Sequence, residues 1–256
     1  MKKRYVFSNA VAIALTGICV APFLYIFFRS FLNSEGFTLD YYYDVFLGQS
    51  QYLLRFWKSL ALSLCIAGAQ LVVSTLAGYG FAKCRFPGKN LAFFLLMILM
   101  IMPLQVTLVP NYIMLDKLGL LDTYYALALP MIFVPLGTFI MTQSFRSVPN
   151  EVIEAAKLDG CGILGVIRRI AVPMNKSGLV CTMLLSFLDG WNMVEQPIVY
   201  LKDFANYPIA VALASVPPED PTVQLVCCIL VAVPPLFLFA YYNQELVEGI
   251  VIGGEK

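Results

Sequence analysis

Six long runs of apolar residues constrain the fold of this chain more than any other feature of its sequence. Each run reaches about 20 residues or more, the length that a helix needs to cross the hydrocarbon core of a bilayer. The chain is 60% apolar and only 13% charged, whereas a soluble domain usually has about 25% charged residues. We therefore predict an all-α fold, a polytopic membrane helix bundle of about six transmembrane helices in a single domain (residues 1–256). The predicted spans are residues 6–28, 57–81, 91–112, 124–145, 178–201 and 223–242.

The first apolar run has one feature of a secretory signal peptide, because Lys2, Lys3 and Arg4 precede it. It is longer than the apolar core of a cleavable signal, and it lacks a clean small-residue cleavage site. We therefore expect this run to remain in the protein as its first span.

The distribution of basic residues predicts the orientation of the bundle. If the N-terminus lies inside, 12 of the 17 Lys and Arg residues fall on the cytoplasmic side. These are Lys2, Lys3, Arg4, Lys83, Arg85, Lys89, Arg146, Lys157, Arg168, Arg169, Lys176 and Lys256. Basic residues are enriched in cytoplasmic segments of membrane proteins. We therefore predict that both termini are cytoplasmic, together with the connection between the fourth and fifth spans.

The polar residues argue against several classes of function. The net charge is +1 and there is no basic tract, so nucleic acid is not an expected partner. The chain has seven cysteines, no histidine and no C-x-x-C pair, which predicts neither a metal site nor a redox centre. We expect the cysteines to be reduced and to pack as small hydrophobic residues. An intramembrane enzyme is disfavoured on the same grounds.

Prolines and small residues inside the spans predict a kinked and closely packed bundle. Prolines remove helix hydrogen bonds, and those within spans are Pro103, Pro110, Pro130, Pro135, Pro234 and Pro235. The second span has a small or polar face, formed by Ser63, Ala67, Gln70, Ser74, Ala77 and Gly78. Such a face either lets another helix approach closely or lines a path through the bundle.

The longest predicted cytoplasmic connection, residues 146–176, has the pattern of two short helices separated by a turn. Its helix-start signals are Ser147, Pro149, Asn150 and Glu151. Gly160 supplies a stop signal for the first helix. The second helix is predicted over 163–170 and should end before Pro173.

Within this connection, Glu154-Ala155-Ala156 is followed by Gly160, Ile170 and Pro173. That pattern resembles the EAA loop of the permeases of ABC importers. The resemblance implies that the loop forms a coupling helix, which docks in a cleft of an ATPase subunit. The ATPase-coupling residues implied in this way are Glu154, Ala155, Ala156, Asp159 and Gly160.

The resemblance extends over nearly the whole chain. Residues 79–89, 118–124, 145–149 and 191–192 look like segments of the maltose-type carbohydrate-uptake branch. This branch implies a type I ABC importer permease fold in the bacterial cytoplasmic (inner) membrane and a sugar or oligosaccharide as solute. It also implies three partners: a second, non-identical permease subunit, an ATP-binding cassette ATPase dimer and an extracytoplasmic solute-binding protein. No cofactor is implied, because the partner ATPase hydrolyses ATP.

Several positions depart from the usual pattern of that branch and leave the solute open. They are Val172, Ser177, Glu195, Gln196 and Glu248. A non-sugar polar solute therefore remains an alternative cargo. A stand-alone secondary carrier is an alternative of another class, but it would predict more ionisable groups within the membrane and often an internal repeat.

Two short motifs of nucleotide-binding proteins occur in the chain without their usual context. Residues 160–165 match G-x-G-x-x-G, but a predicted helix precedes them and a span follows, whereas the dinucleotide fingerprint requires a preceding strand. Lys176-Ser177 resembles the end of a P-loop but lacks the required glycines. We therefore expect the chain itself not to bind ATP.

The fifth predicted span contains four polar residues on about a third of the helix circumference: Asp189, Asn192, Glu195 and Gln196. A carboxylate that faces lipid at mid-bilayer costs about 2.5–3.5 kcal/mol or more. These residues should therefore face the bundle interior, a partner subunit or water. They either border a translocation path for hydroxyl-rich solutes or satisfy the polar groups of neighbouring helices.

Overall fold

The computed structural model describes residues 2–33, 36–43, 45, 50–213 and 221–254, and this part of the chain is almost entirely helical. The helices are α1 (Lys2–Arg29), α2 (Asp40–Tyr43), α3 (Ser50–Lys83), α4 (Lys89–Ile101), α5 (Leu104–Lys117), α6 (Tyr124–Ile132), α7 (Pro135–Arg146), α8 (Asn150–Leu158), α9 (Ile163–Val166), α10 (Val172–Met174), α11 (Lys176–Trp191), α12 (Glu195–Tyr200), α13 (Ile209–Leu213) and α14 (Pro221–Gly254). A short antiparallel hairpin pairs strand β1 (Leu32–Asn33) with strand β2 (Gly36–Phe37).

The apolar helices confirm a polytopic membrane bundle. Among the described residues, three helical segments are long and apolar enough to cross a membrane: Tyr52–Lys83, Tyr124–Arg146 and Gln224–Val247. The count rises to 5 if each of two bent helix pairs is one span. Helix α1 adds a further apolar segment, and its described apolar side chains are largely exposed, as those of a lipid-facing helix would be.

The third and fourth predicted spans are each interrupted just before a proline. Helices α4 and α5 meet at an angle of 104°, with Met102 in an extended conformation ahead of Pro103. Helices α6 and α7 are also separated, with Val134 extended ahead of Pro135, but together they still form the single segment Tyr124–Arg146. A residue before proline is driven out of the helical region by its contact with the proline ring. Each break lies just before a proline, and at Pro103 the change of direction is larger than the predicted kink.

The fifth predicted span is also interrupted, so that its C-terminal part is a separate helix. Helix α11 ends at Trp191 and α12 begins at Glu195. In an unbroken helix the ring of Pro197 would collide with the carbonyl of Met193. Instead, Pro197 lies in the first turn of α12, where its missing N–H leaves no helix hydrogen bond unmade.

Helix α3 forms the centre of the bundle and packs against both α7 and α11. The predicted small and polar face of α3 is buried there, with Ser63 and Ala67 fully buried and Gln70 only 3% exposed. At Gly78, an added Cβ would lie 2.6 Å from the Cβ of Met141 on α7. The face therefore serves close helix packing, and its buried residues do not line the cavity described below.

Candidate functional site

Helix α8 has one face against the chain's own core and the other face open. Ile153 and Ala156 are 4% and 8% exposed and pack in a cluster that includes Phe145 of α7. Glu154 and Ala155 lie on the exposed side. The predicted first helix of this connection is thus confirmed, and the small side chain of Ala156 serves internal packing rather than an open surface.

The C-terminus of α8 is closed by a specific backbone turn. The N–H of Gly160 donates to the carbonyl of Lys157, and the N–H of Cys161 donates to the carbonyl of Ala156, both at 3.0 Å. This pair of bonds is a Schellman motif, which requires a left-handed residue at the position of Gly160. Gly160 has a φ of 82°. The predicted stop signal therefore acts through this backbone conformation, which glycine adopts without steric cost.

Beyond this turn, exposed apolar side chains surround the end of α8. Leu158, Leu164 and Ile163 are 89%, 71% and 59% exposed. We call the surface formed by Glu154, Ala155, Leu158, Asp159, Ile163 and Leu164 the α8 tip. A cluster of exposed apolar residues with a polar rim is typical of a protein-interaction surface.

A lysine at the end of α3 anchors the start of α8. The ammonium group of Lys83 donates to the carbonyl of Val148 at 2.6 Å and to Oδ1 of Asn150 at 2.9 Å. Val148 itself is 3% exposed and belongs to the same core cluster as α8. The N-terminus of α8 is therefore tied to the central helix of the bundle.

The second predicted helix of the connection runs past its expected end. Helices α9 and α10 are continuous through a π-helical turn at Ile167–Ala171, and the helix includes Pro173 before ending at Met174. The π turn shifts the backbone hydrogen-bond pattern just before Pro173, so the missing N–H of Pro173 falls where the regular helical pattern is already interrupted. This is why the helix does not end before the proline, as the sequence had indicated.

A cavity of about 940 Å³ lies where the three interrupted spans meet. Each interruption contributes to its wall: Met102 and Leu104, then Phe133 to Pro135, then Asn192 to Val194. The N-caps of α5, α7 and α12 carry no side-chain hydrogen bond. Non-helical backbone is tolerated at membrane depth only where it is buried in protein or lines a water-filled space. The cavity supplies that space.

All four predicted path residues line this cavity: Asp189, Asn192, Glu195 and Gln196. They reach it from α11, from the break that follows and from α12, and not from one continuous helix. Glu195 accepts hydrogen bonds from Nε2 of Gln105 on both carboxylate oxygens, at 2.9 and 3.2 Å. Gln196 is 5% exposed, and its Nε2 lies 3.5 Å from the sulfur of Met131.

Further polar residues of the cavity wall were not all evident from the sequence. They are Thr107, Asn111 and Tyr200, and of these Asn111 has the side chain that is most unusual within an apolar span. Tyr200 is 1% exposed, and its hydroxyl donates to the carbonyl of Leu108 at 3.4 Å. Tyr200 follows Pro197 by three residues. Because proline is common in the first turn of a helix, this spacing could have predicted that Tyr200 lies on a new helix that begins near Pro197.

The comparison with protein families decides the identity of this bundle. The sequence model of the family described as "Binding-protein-dependent transport system inner membrane component" matches residues 70–244. The chain belongs to this family. The matched range includes α8, the α8 tip and the whole cavity wall, so both candidate sites lie within the family's shared region.

Relatives within the family are named for different cargoes. The chain is 30% identical to the arabinooligosaccharides transport system permease protein AraQ of Halalkalibacterium halodurans over 86% of this chain and 80% of AraQ. It is 27% identical to the sn-glycerol-3-phosphate transport system permease protein UgpE of Brucella melitensis over 76% of this chain and 71% of UgpE.

A solved structure shows the same fold. A chain of a bacterial ABC transporter involved in the import of the acidic polysaccharide alginate matches with a TM-score of 0.79 at 20% sequence identity, over 94% of this chain and 96% of that one. This family member therefore has the fold of an ABC importer permease, as the sequence predicted.

Proposed function

We propose that this chain is one permease subunit of an ATP-driven importer and forms half of the path for a sugar or oligosaccharide. The observation that carries the proposal is the α8 tip, an exposed surface on a helix that is anchored at both ends. The names of relatives such as AraQ support the class of solute. UgpE, named for glycerol 3-phosphate, supports a non-sugar polar solute as the second candidate.

In this proposal the α8 tip docks on an ATP-binding cassette ATPase dimer. Glu154, Ala155 and Asp159 provide exposed contacts, and Leu158 inserts an apolar side chain. Ala156 and Gly160 act indirectly, because the first packs α8 on the core and the second holds its terminal turn. ATP is bound and hydrolysed by the separate ATPase chain, whose closure pushes on α8.

The proposal includes an orientation and two more partners. Residues 1–256 form a single transmembrane permease domain in the bacterial inner membrane, with both termini and the α8 tip on the cytoplasmic side, as the basic residues indicate. A second permease subunit completes the path, and an extracytoplasmic solute-binding protein delivers the solute. The cavity beside Asp189, Asn192, Glu195 and Gln196 is this subunit's part of the path.

An exchange of one exposed leucine tests the docking claim. Leu158 is 89% exposed and touches little of its own chain, so Leu158→Asp should leave folding and membrane insertion intact. It should abolish co-purification of the ATPase that is co-expressed with the permease. Leu118→Asp is the matched control, because Leu118 is also an exposed leucine, 60% exposed, in the loop at the other end of the α6–α7 span.

The proposal fails if the ATPase co-purifies equally well with wild type and with Leu158→Asp. It also fails if both aspartate variants lose the ATPase to the same extent, because the α8 tip would then have no specific part in docking.

A further inference from the structure

The cavity wall carries negative charge that no basic residue of the wall offsets. Within the described part of the chain, the lining residues include the carboxylates of Asp189 and Glu195 but no lysine or arginine. A cavity lined by charge of one sign focuses the potential and raises the local concentration of the opposite charge.

Glu195 is held at the cavity wall by a neighbouring amide. Both carboxylate oxygens accept from the amide of Gln105, at 2.9 and 3.2 Å. An amide N–H donates to a carboxylate without neutralising it. The bond also joins α5 to α12, on two of the interrupted spans, and so fixes the carboxylate at the cavity wall.

The remaining polar groups of the wall are uncharged. They are the side chains of Thr107, Asn111, Asn192, Gln196 and Tyr200. Amides and hydroxyls both donate and accept hydrogen bonds, so they are suited to the hydroxyl groups of an uncharged solute. A phosphate or carboxylate group on a solute would find no cation on this wall.

We infer that this wall selects the solute by charge, admitting uncharged or cationic solutes and repelling acidic ones, with Glu195 as the main determinant. The inference rests on the proposed function and narrows its class of solute. It separates this chain from relatives and structural neighbours whose names refer to acidic cargo, such as glycerol 3-phosphate and alginate.

Thiol reactivity measures this selectivity without knowledge of the solute. Thr107→Cys places a thiol of similar size on the cavity wall. Membrane vesicles that contain the full transporter are treated with a cationic or an anionic methanethiosulfonate reagent, and mass spectrometry follows the peptide that contains residue 107. Each rate is divided by the rate of the same reagent with a small free thiol. Leu118→Cys, at an exposed position outside both the cavity and the α8 tip, is the control position.

The corrected rate at position 107 should be greater for the cationic reagent. In a water-like dielectric of about 80, a full charge within about 6 Å of a thiol changes the ratio of the two rates about tenfold, and a more distant charge changes it less. In the Thr107→Cys background, Glu195→Gln should lower the ratio of the cationic to the anionic rate several-fold, and Glu195→Lys should invert it. Asp189→Asn measures how much the carboxylate of Asp189 contributes to this ratio. None of these changes should alter the ratio at position 118.

Equal corrected rates for the two reagents, or a faster anionic reagent, would overturn the inference. So would a ratio that neither Glu195→Gln nor Asp189→Asn lowers, or a thiol that neither reagent reaches. These outcomes are independent of the ATPase co-purification test, so charge selectivity and the importer proposal can fail separately.

Discussion

Replacing Lys83 with methionine should release the N-terminus of α8 from the bundle. Methionine keeps much of the apolar stem but loses both hydrogen bonds of the ammonium group, to the carbonyl of Val148 and to Oδ1 of Asn150. A hydrogen bond to a charged group contributes about 1.5–3 kcal/mol when it is buried. Because the bond to Asn150 is exposed to solvent, we expect a total loss of about 2 kcal/mol, which raises the population of detached α8 about 30-fold.

Lys89→Met is the matched control for this change. The ammonium group of Lys89 also donates to backbone carbonyls, of Ala82 and Cys84, but these belong to α3 and the segment that follows it, and not to α8. Both substitutions therefore remove similar hydrogen bonds, but only Lys83→Met removes bonds to the start of α8.

Hydrogen–deuterium exchange of the intact transporter, read by mass spectrometry, measures the effect. Lys83→Met should speed exchange of the Asn150–Leu158 amides about 30-fold, in line with a loss of about 2 kcal/mol, and Lys89→Met should not. Unchanged protection of α8 in Lys83→Met, or equal acceleration in the two variants, would refute the claim that Lys83 anchors this helix.

Two further predictions concern turns at opposite ends of the bundle. Gly160→Ala should cost about 1–2 kcal/mol, because alanine must adopt the left-handed conformation, and it should lower stimulated ATPase activity. Gly162→Ala, at a φ of −70°, should have little effect. Equal ATPase activities in the two variants would contradict the role assigned to the turn at Gly160. Backbone N–H donors of Lys202 and Asp203 hold the pKa of Asp122 below its usual value. Since the folded pKa is lowered, the stabilisation is present above the ordinary value of about 4 and is lost as pH falls through the folded pKa. The melting temperature of wild type should therefore exceed that of Asp122→Asn at pH 6, and the difference should vanish in acid; a constant difference would contradict this assignment.

The sequence predicted the features that local chemistry determines. Apolar runs of sufficient length gave the spans, because only an internally hydrogen-bonded helix is stable in lipid. The first helix of the connection followed from Asn150, Glu151 and Gly160 in the same local way, since caps and turns depend on a few adjacent residues. Those predictions needed no knowledge of tertiary packing.

The cavity could not be predicted in the same way, because it depends on whether each proline interrupts its helix or is accommodated within it. Pro103 and Pro135 lie where one helix ends and the next begins, whereas Pro234 and Pro235 lie inside α14, ahead of its kink at Tyr242. Prolines are tolerated inside membrane helices where neighbouring groups satisfy the freed carbonyls, and a single sequence does not show those neighbours. Asp189 and the three polar residues that follow it were therefore predicted as a group, but the break that separates α11 from α12 within this group was not predicted.

The position of α7 joins the two candidate sites physically. Its first residue, Pro135, lines the cavity. Its last residue, Arg146, is separated from the start of α8 by only the three residues 147–149. Its 12 residues span about 18 Å as a straight helix, and it packs against α3 and α11. A push on α8 under the proposed function would therefore reach the cavity through α7 and be absorbed at the Phe133–Val134 break, because a break without helical hydrogen bonds bends more easily than the helices on either side.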